Sequence, residues 1–308
     1  MSTPLVSVVV PSYNKPKETQ RAINSVAQQT YEPIELVVVD DGSDPPISSE
    51  ISLHSDTFLK TTLRRHETNQ GGNVARNTGI DAASGKYIAF LDSDDTWHPK
   101  KLQSQISRLE ESNERLASYT GIKYVDYNGK LNSIYTPDHT GYLTDDLLQG
   151  NIIGTFSSVI VDRQVFEKVG HPHPDLPSWQ DWEWYLRLAP HVKFDVVSDP
   201  LTIKHEASNQ ISGSYYPKKT ISYPVIYNQI QSVTTSEHQF RIGKGYLNYE
   251  LGRSALSNNE YAEARRCFFR AIENYPYEVN FYKYFMATGP HYPKFTRMKR
   301  CFTRLSSN

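Results

Sequence analysis

The sequence has little cysteine, no long apolar run and almost no net charge. Two cysteines among 308 residues are too few for a disulfide framework or a cysteine-based zinc site, and they favour a reducing, cytoplasmic compartment. No stretch of about 18 apolar residues occurs, which argues against a transmembrane helix. A formal net charge of −1 provides no field that would attract nucleic acid. Residues 1–15 have no basic segment before an apolar one, so we expect no signal peptide.

The first third of the chain alternates between short apolar runs and segments with helical spacing of apolar residues. The predicted strands are 5–10, 34–41, 61–67 and 86–92, and the helices between them include 15–29 and 71–85. Strands that alternate with helices across short links favour an α/β fold, with a mostly parallel sheet flanked by helices on both faces. Ligands of such sheets bind at the carboxyl ends of the strands.

The pattern changes in the middle of the chain. Residues 117–135 alternate and contain an Asn-Gly pair, which predicts a hairpin. Further strands are predicted at 157–163 and 192–197, and an amphipathic helix rich in aromatic residues at 178–189. We expect these elements to extend the first sheet rather than to form a separate core.

The C-terminal part is helical, so we place the domains at 1–215 and 216–308. One tetratricopeptide-like repeat is indicated by a characteristic spacing of residues, namely Leu251, Gly252, Tyr261, Ala264, Phe268, Ala271 and Pro276. A single repeat does not bury its own apolar face. It should therefore pack on the sheet domain or on a second copy of the chain.

The last residues, 293–308, carry five basic side chains and no acidic one. Apolar residues stand between the basic ones, for example Phe295 and Phe302. Two interpretations stay open: a solvated helix or chain end, and a peripheral contact with anionic lipid.

Acidic residues cluster where two predicted strands end. Asp40 and Asp41 end the second strand, and Asp92, Asp94 and Asp95 end the fourth. Carboxylates so close together repel each other, so a positive group should offset the cost. Hard oxygen ligands suit Mg²⁺ or Mn²⁺ bound to a nucleotide diphosphate. The alternative is a solvated turn, with Asp95 as a helix N-cap.

Four segments together resemble the inverting family 2 glycosyltransferases with the GT-A fold. They are "VSVVVPSYNK", "ELVVVDDGS", "NQGGNVARNTGIDAASGKYIAFLDSDD" and "WQDWEWYLRL", in the order and spacing of that family across about residues 5–210. The resemblance implies a GT-A sheet and transfer of one sugar from a nucleotide-diphosphate sugar, most typically a UDP-sugar. It further implies a glycan, glycolipid or lipid-linked acceptor, in cell-surface polysaccharide synthesis or protein glycosylation.

The same resemblance assigns metal-site residues. Asp92, Ser93 and Asp94 correspond to the D-x-D element, in which Asp94 would ligate Mn²⁺ or Mg²⁺ and Asp92 would contact the metal or the ribose. His205 stands where some relatives place a histidine beside the metal or the diphosphate. A structural role for His205 remains the alternative.

A uracil base needs an apolar wall and an acceptor for its N3–H group. Pro11 and Tyr13 offer the wall, and the resemblance implies Asp40 or Asp41 as the acceptor. Arg76 would approach the base or the diphosphate, where a fixed cation is useful. The alternative for Arg76 is a salt bridge that holds the acidic turn together.

Inversion requires a base that deprotonates the acceptor hydroxyl. By resemblance this base is Asp181, which follows Gln180 where the family has glutamate. The missing charge at Gln180 affects acceptor placement. Trp179, Trp182 and Trp184 surround this aspartate in the sequence, and they suit either sugar stacking or the core.

Three other function classes fit the sequence less well. A dinucleotide-dependent oxidoreductase lacks its G-x-G-x-x-G after the first strand, and a nucleotidyltransferase lacks a Gly-rich basic loop there. A catalytically inactive scaffold acting through the C-terminal helices is motivated by Gln180. The presence of both Asp94 and Asp181 argues against it.

Overall fold

The computed structural model describes residues 3–54, 56–111, 114–126, 128–205 and 214–289. It divides into two compact units, of which the first holds the sheet and the second holds the described residues 214–289 with 148–150 and 177–179. The domain boundary at 215 stays a prediction. No helix in the described ranges combines the length and the hydropathy that a bilayer span requires.

Within the described residues the first unit contains one sheet of nine strands. The strands are β1 (Val6–Ser12), β2 (Ile34–Asp40), β3 (Lys60–Arg65), β4 (Tyr87–Phe90), β5 (Thr96–Trp97), β6 (Arg115–Val125), β7 (Leu131–Tyr135), β8 (Val159–Asp162) and β9 (Lys193–His205). Their order is β3-β2-β1-β4-β8-β6-β9-β5, and β7 pairs with β6. Its helices are α1 (Pro16–Ala27), α2 (Gly72–Ala82), α3 (Lys101–Glu110), α4 (Thr144–Leu148), α5 (Gln164–Val169) and α6 (Gln180–Leu188).

The parallel half of the sheet follows from its apolar strands. Every residue of β1, β2 and β4 is buried, as expected for strands covered on both faces. β1 pairs in parallel with β2 and with β4, so that Val9 lies opposite both Val37 and Phe90. The carboxyl ends of β2 and β4 therefore lie at the same edge of the sheet, which brings both acidic clusters to that edge.

The middle of the chain extends the same sheet, as predicted. β8 runs antiparallel to β4 and to β6, and β9 runs parallel to β6. The Asn-Gly pair lies in the β6–β7 hairpin, where Gly129 has a φ of 78°. The predicted helix at 71–85 is shorter than expected, because α2 ends at Ala82 and Ala83 is already extended.

Aromatic side chains anchor α6 to the sheet. The Trp184 ring stacks on Phe166 with centroids 5.6 Å apart and meets Phe90 edge to face at 5.7 Å. Trp182 donates from Nε1 to the Leu147 carbonyl at 2.8 Å. Both tryptophans are fully buried, so they belong to the core, and the sugar-stacking interpretation is wrong for them.

The second unit contains the predicted helical hairpin. Its helices are α7 (Tyr215–Pro217), α8 (Tyr223–Val233), α9 (Glu237–Ser257), α10 (Tyr261–Asn274) and α11 (Val279–Ala287). At Gly252 of α9 an added Cβ would lie 2.6 Å from the Phe268 ring of α10, so the helices approach closely there. Tyr215 and Tyr284 pack on this hairpin, whereas Tyr261 is exposed. The repeat thus buries its face within its own unit.

Candidate active site

The carboxylate of Asp40, at the end of β2, is bound mainly by the loop that follows this strand. Its Oδ1 accepts a hydrogen bond from the Ser43 backbone N–H at 2.9 Å, and its Oδ2 accepts one from the Ile47 N–H at 3.3 Å. Arg65 of β3 forms an ion pair with the same Oδ2. The carboxylate is almost fully buried. Asp40 therefore organises the turn after β2.

Asp41 links three segments of the chain. Its Oδ1 lies 2.7 Å from His66 Nδ1 and accepts from the Gln70 N–H at 3.0 Å, while Oδ2 accepts from the Gly71 N–H at 2.8 Å. His66 Nε2 lies 2.9 Å from Thr78 Oγ1 on α2. A carboxylate has about four acceptor positions, and three are used in Asp41 as in Asp40. Both side chains are almost fully buried, so a contact of either with the base stays a prediction.

The predicted apolar wall divides between a buried and an exposed residue. Pro11 is buried within β1 opposite Val39, whereas Tyr13 follows the strand and is 44% exposed. Asn14, with a φ of 53°, turns the chain and donates from its N–H to Ser43 Oγ at 2.9 Å. Tyr13 is thus the residue of this pair that a ligand at the sheet edge can reach.

Asp92, two residues after β4, is held by a buried cation. Its Oδ1 pairs with Arg76 at 2.5 Å, and its Oδ2 accepts from Thr155 Oγ1 at 3.2 Å. Burial raises the pKa of Asp92, but the attraction of Arg76 and Lys204 lowers it by a larger amount. The net pKa therefore lies below the ordinary value. Asp92 is therefore ionised at neutral pH.

The buried side chain of Arg76 contacts residues from several elements of the fold. Its guanidinium donates to Asn73 Oδ1 at 2.8 Å, lies 4.3 Å from the Phe156 ring centroid and is 3.4 Å from Gln180 Oε1. The ion pair with Asp92 corresponds to the salt-bridge alternative stated above. A direct contact with base or diphosphate stays a prediction. Through Gln180, Arg76 links the end of β4 to the start of α6.

Asp94 is the more accessible acid of the D-x-D element. Its Oδ2 pairs with Lys15 Nζ at 2.7 Å, and its backbone carbonyl accepts from Arg21 at 2.7 Å. The Asp94 side chain is 33% exposed and that of Lys15 42%, so a competing cation could displace this pair. Ser93, between the two acids, is buried.

Asp95 differs from its predicted role as a solvated residue or N-cap. It is fully buried, and α3 begins only at Lys101, so it caps no helix. Its Oδ2 accepts from Ser157 Oγ at 2.7 Å, while Oδ1 has no partner among the described residues. Burial raises the pKa of Asp95 to about 7. The attraction of Lys204 lowers this pKa, and repulsion from Asp92 raises it.

Two further residues complete this cluster at the end of β9. His205 Nε2 lies 3.2 Å from Thr96 Oγ1, and burial together with Arg21 lowers the pKa of His205. The attraction of Asp94 partly opposes that shift. His205 is therefore neutral at neutral pH, as a metal ligand must be. Lys204 is half-buried and interacts electrostatically with the surrounding acids.

The cluster offers a cation only part of a coordination shell. Within the described ranges, no group of three or more His, Cys, Asp and Glu side chains is arranged to hold a metal ion. Asp94 presents an accessible carboxylate, whereas Asp92 is engaged by Arg76 and Thr155. These donors fit a Mg²⁺ or Mn²⁺ ion whose remaining ligands come from a bound diphosphate and water.

Asp181 lies in the first turn of α6. The Trp182 N–H donates to its Oδ1 at 2.8 Å. Burial raises the pKa of Asp181, opposed by that N–H and by Lys204, while Asp92 adds repulsion. A carboxylate with a raised pKa is a stronger base than an exposed aspartate. Gln180 donates to the Leu176 carbonyl at 2.6 Å, which fixes the start of the helix.

Sequence reasoning missed the residues that neutralise these acids. Lys15 stands in the quoted segment "PSYNK", and Lys204 directly precedes His205. The available signal was a lysine close to the end of a strand, at the sheet edge where the acidic residues lie. Thr155 and Ser157, in contrast, lie in a segment without a recognisable motif, so only the fold could reveal them.

The comparisons agree with this architecture. The family model described as glycosyl transferase family 2 matches residues 7–170, more than half of the chain. An uncharacterized glycosyltransferase of Rickettsia bellii is 40% identical over 148 residues, which are 47% of this chain and 21% of that protein. The UDP-Glc:alpha-D-GlcNAc-diphosphoundecaprenol beta-1,3-glucosyltransferase WfgD of Escherichia coli is 34% identical over 178 residues, 58% of this chain and 68% of that protein. The chain thus spans about a fifth of the length of the Rickettsia protein.

Solved structures give the same fold. S. aureus TarS 1-349 in complex with UDP-GlcNAc matches with a TM-score of 0.67 and 22% identity, over 87% of this chain and 81% of that one. At this identity the match speaks for the fold alone, and it confirms the predicted GT-A-type α/β architecture. With the family model and the sequence relatives, it follows that the chain belongs to glycosyltransferase family 2.

Proposed function

We propose that this chain transfers one sugar, with inversion, from a nucleotide-diphosphate sugar to an acceptor hydroxyl. The observation that supports this most is the meeting of Asp181 with the acids that follow β4. Asp181 and Asp92 repel each other, and both are attracted by Lys204, so the base and the D-x-D element share one site. A UDP-sugar is the favoured donor, with Tyr13 against the base and Asp41 accepting from its N3–H.

In this mechanism the acceptor oxygen attacks the anomeric carbon while the bond between that carbon and the diphosphate oxygen breaks. Asp181 accepts the proton of the attacking hydroxyl, and its burial makes it a better base. Arg76 holds Asp92 on one side and Gln180 on the other, so it positions the base relative to the donor. The products are the glycosylated acceptor and the nucleoside diphosphate.

We further propose a Mn²⁺ or Mg²⁺ ion as cofactor, held by Asp94 with Asp92 and His205 beside it. When bound, the ion neutralises charge on the departing diphosphate. Asp94 would exchange its pair with Lys15 for the ion, since that pair is partly exposed. The neutral imidazole of His205 supplies a compatible donor.

The acceptor class is proposed from the relatives. The name of the E. coli relative specifies a sugar linked to diphosphoundecaprenol. We propose a glycan, glycolipid or lipid-linked acceptor in polysaccharide synthesis or protein glycosylation, at the cytoplasmic face of a membrane. The basic tail at 293–308, for which a solvated chain end and a contact with anionic lipid both stay open, lies outside the described residues. Pairing of two chains through the C-terminal helices stays a prediction.

Thermal stability measured against UDP, GDP and dTDP, each with and without Mn²⁺, tests the donor site. A ligand at a hundred times its dissociation constant adds about 2.7 kcal/mol to the stability of the native state. We expect a shift with UDP that Mn²⁺ enlarges. Asp94→Ala should lose the metal-dependent part, while the exposed control Asp175→Ala should keep it. No shift with any nucleotide would favour the inactive scaffold instead.

A further inference from the structure

Lys204 stands out among the cations at the edge of the sheet. It is the next-to-last residue of β9, opposite Tyr124 of β6, and the neighbouring Ile203 pairs with Thr96 of β5. This register brings its half-buried side chain to the carboxyl edge where the acids after β4 lie. Asp95, Asp92, Asp94 and Asp181 all attract its ammonium group.

The acids around Lys204 already have other partners. Arg76 pairs with Asp92, and Lys15 pairs with Asp94. Asp95 accepts from Ser157, and Asp181 accepts from the Trp182 N–H. Within the described part of the chain, the Lys204 ammonium has neither a hydrogen bond nor an ion pair within 4.0 Å. Among the described residues, nothing therefore occupies the three N–H donors of this half-buried ammonium group.

We propose that Lys204 binds the diphosphate of the nucleotide donor and stabilises it as the leaving group. This inference rests on the proposed function. Phosphate oxygens are acceptors that match an ammonium point charge, and they would supply the direct partners that Lys204 lacks. In the described structure Arg76 is paired with Asp92 and Lys15 with Asp94, and of these two pairs only that of Lys15 is exposed enough to be given up to a metal ion.

Lys204 also explains how a diphosphate enters an acidic site. The acids at this edge would repel the phosphates, and Lys204, which all four of them attract, reduces this repulsion. Negative charge on the diphosphate grows as the bond to the sugar breaks. A preorganised ammonium at that place therefore stabilises the transition state more than the ground state.

Calorimetric binding of UDP and of uridine, in EDTA and in Mn²⁺, tests this assignment with Lys204→Met. We expect UDP binding to weaken about 10- to 100-fold in both media, the range for a hydrogen bond to a charged group. Uridine, which has no phosphate, should bind both proteins equally. Lys204→Arg should keep most of the UDP affinity. Lys193→Met, at the exposed other end of β9, is the matched control and should change nothing.

The outcomes separate this inference from the proposed function. If the wild-type protein binds none of UDP, GDP and dTDP, the proposed function itself is wrong. If it binds UDP and Lys204→Met binds UDP within about twofold of it, the role of Lys204 is overturned. If Lys204→Met does not fold, a double variant that also carries Asp95→Asn keeps the charge balanced. UDP binding by this double variant is then compared with UDP binding by Asp95→Asn alone.

Discussion

The two acidic clusters at the carboxyl edge look alike in sequence and differ in the fold. At the end of β2, Asp40 and Asp41 are bound mainly by the loops and the strand that follow within about 30 residues, through four backbone N–H groups, Arg65 and His66. At the end of β4, the acids meet cations and hydroxyl groups from distant elements. Lys15 and Thr155, for example, lie 79 and 63 residues away from their acidic partners.

This difference indicates which of the two acidic clusters can bind a ligand. Acids whose oxygens are occupied by backbone donors build the loop, and their loss should reduce stability. Acids whose ion pairs are partly exposed, or whose oxygens are not all hydrogen-bonded, retain the capacity to bind a ligand. The cluster after β4, with the free Lys204 ammonium and the unpartnered Asp95 oxygen, is of the second kind within the described residues.

The largest expected effect belongs to Asp181→Asn. Removal of the general base should lower the rate of sugar transfer by about 100- to 10,000-fold, because the acceptor hydroxyl keeps its proton. UDP binding should stay unchanged. Transfer assays and calorimetry on the same preparation check both halves, with Asp175→Asn as the exposed control. A variant that transfers at the wild-type rate would exclude Asp181 as the base.

The pH dependence of transfer comes next in size. Asp181 acts as a base only when it is deprotonated, and burial raises its pKa above the ordinary value of 3.8. Below that raised pKa, kcat/KM should fall by about tenfold per pH unit. The acidic limb should thus lie at higher pH than for an exposed aspartate. A rate that stays constant down to the ordinary value would contradict a buried carboxylate base.

At the end of β2 the expected effect is on folding. Asp41→Ala leaves the Gln70 and Gly71 N–H groups and His66 without their acceptor. Unfolding free energy should drop by about 1–3 kcal/mol, the usual cost of unsatisfied buried donors. Urea unfolding of Asp41→Ala beside Asp94→Ala compares the two clusters directly. Equal losses of unfolding free energy in the two variants would mean that the two acidic clusters contribute equally to stability.

The smallest effect is expected for Lys15→Met. Its ion pair with Asp94 is partly exposed on both sides, so stability should change by less than about 1 kcal/mol. Affinity for Mn²⁺ in the presence of UDP should not decrease, because Asp94 loses only a competitor for the metal. A large loss of stability would mean that this pair belongs to the structural kind found after β2.

Much of the fold could be predicted from local pattern. Short β-branched apolar runs such as β1 and β2, bounded by turn residues, predicted buried strands, and the Asn-Gly pair indicated its hairpin. Spacing alone did not distinguish the core from the site. Trp182 and Trp184 suited sugar stacking as well as packing, and their burial was decided by contacts with α4, α5 and β4.

The sequence by itself determined which groups stand at the ends of the strands, since strand periodicity and chain order place Asp41, Asp92 and Asp94 at one edge. The tertiary structure alone decided which acids are neutralised and by what. Ion pairing depends on distances between groups far apart in the chain, such as Lys15 and Asp94, and on how far each is removed from water. The environment of Lys204 is therefore a property of the folded sheet edge and not of any local motif.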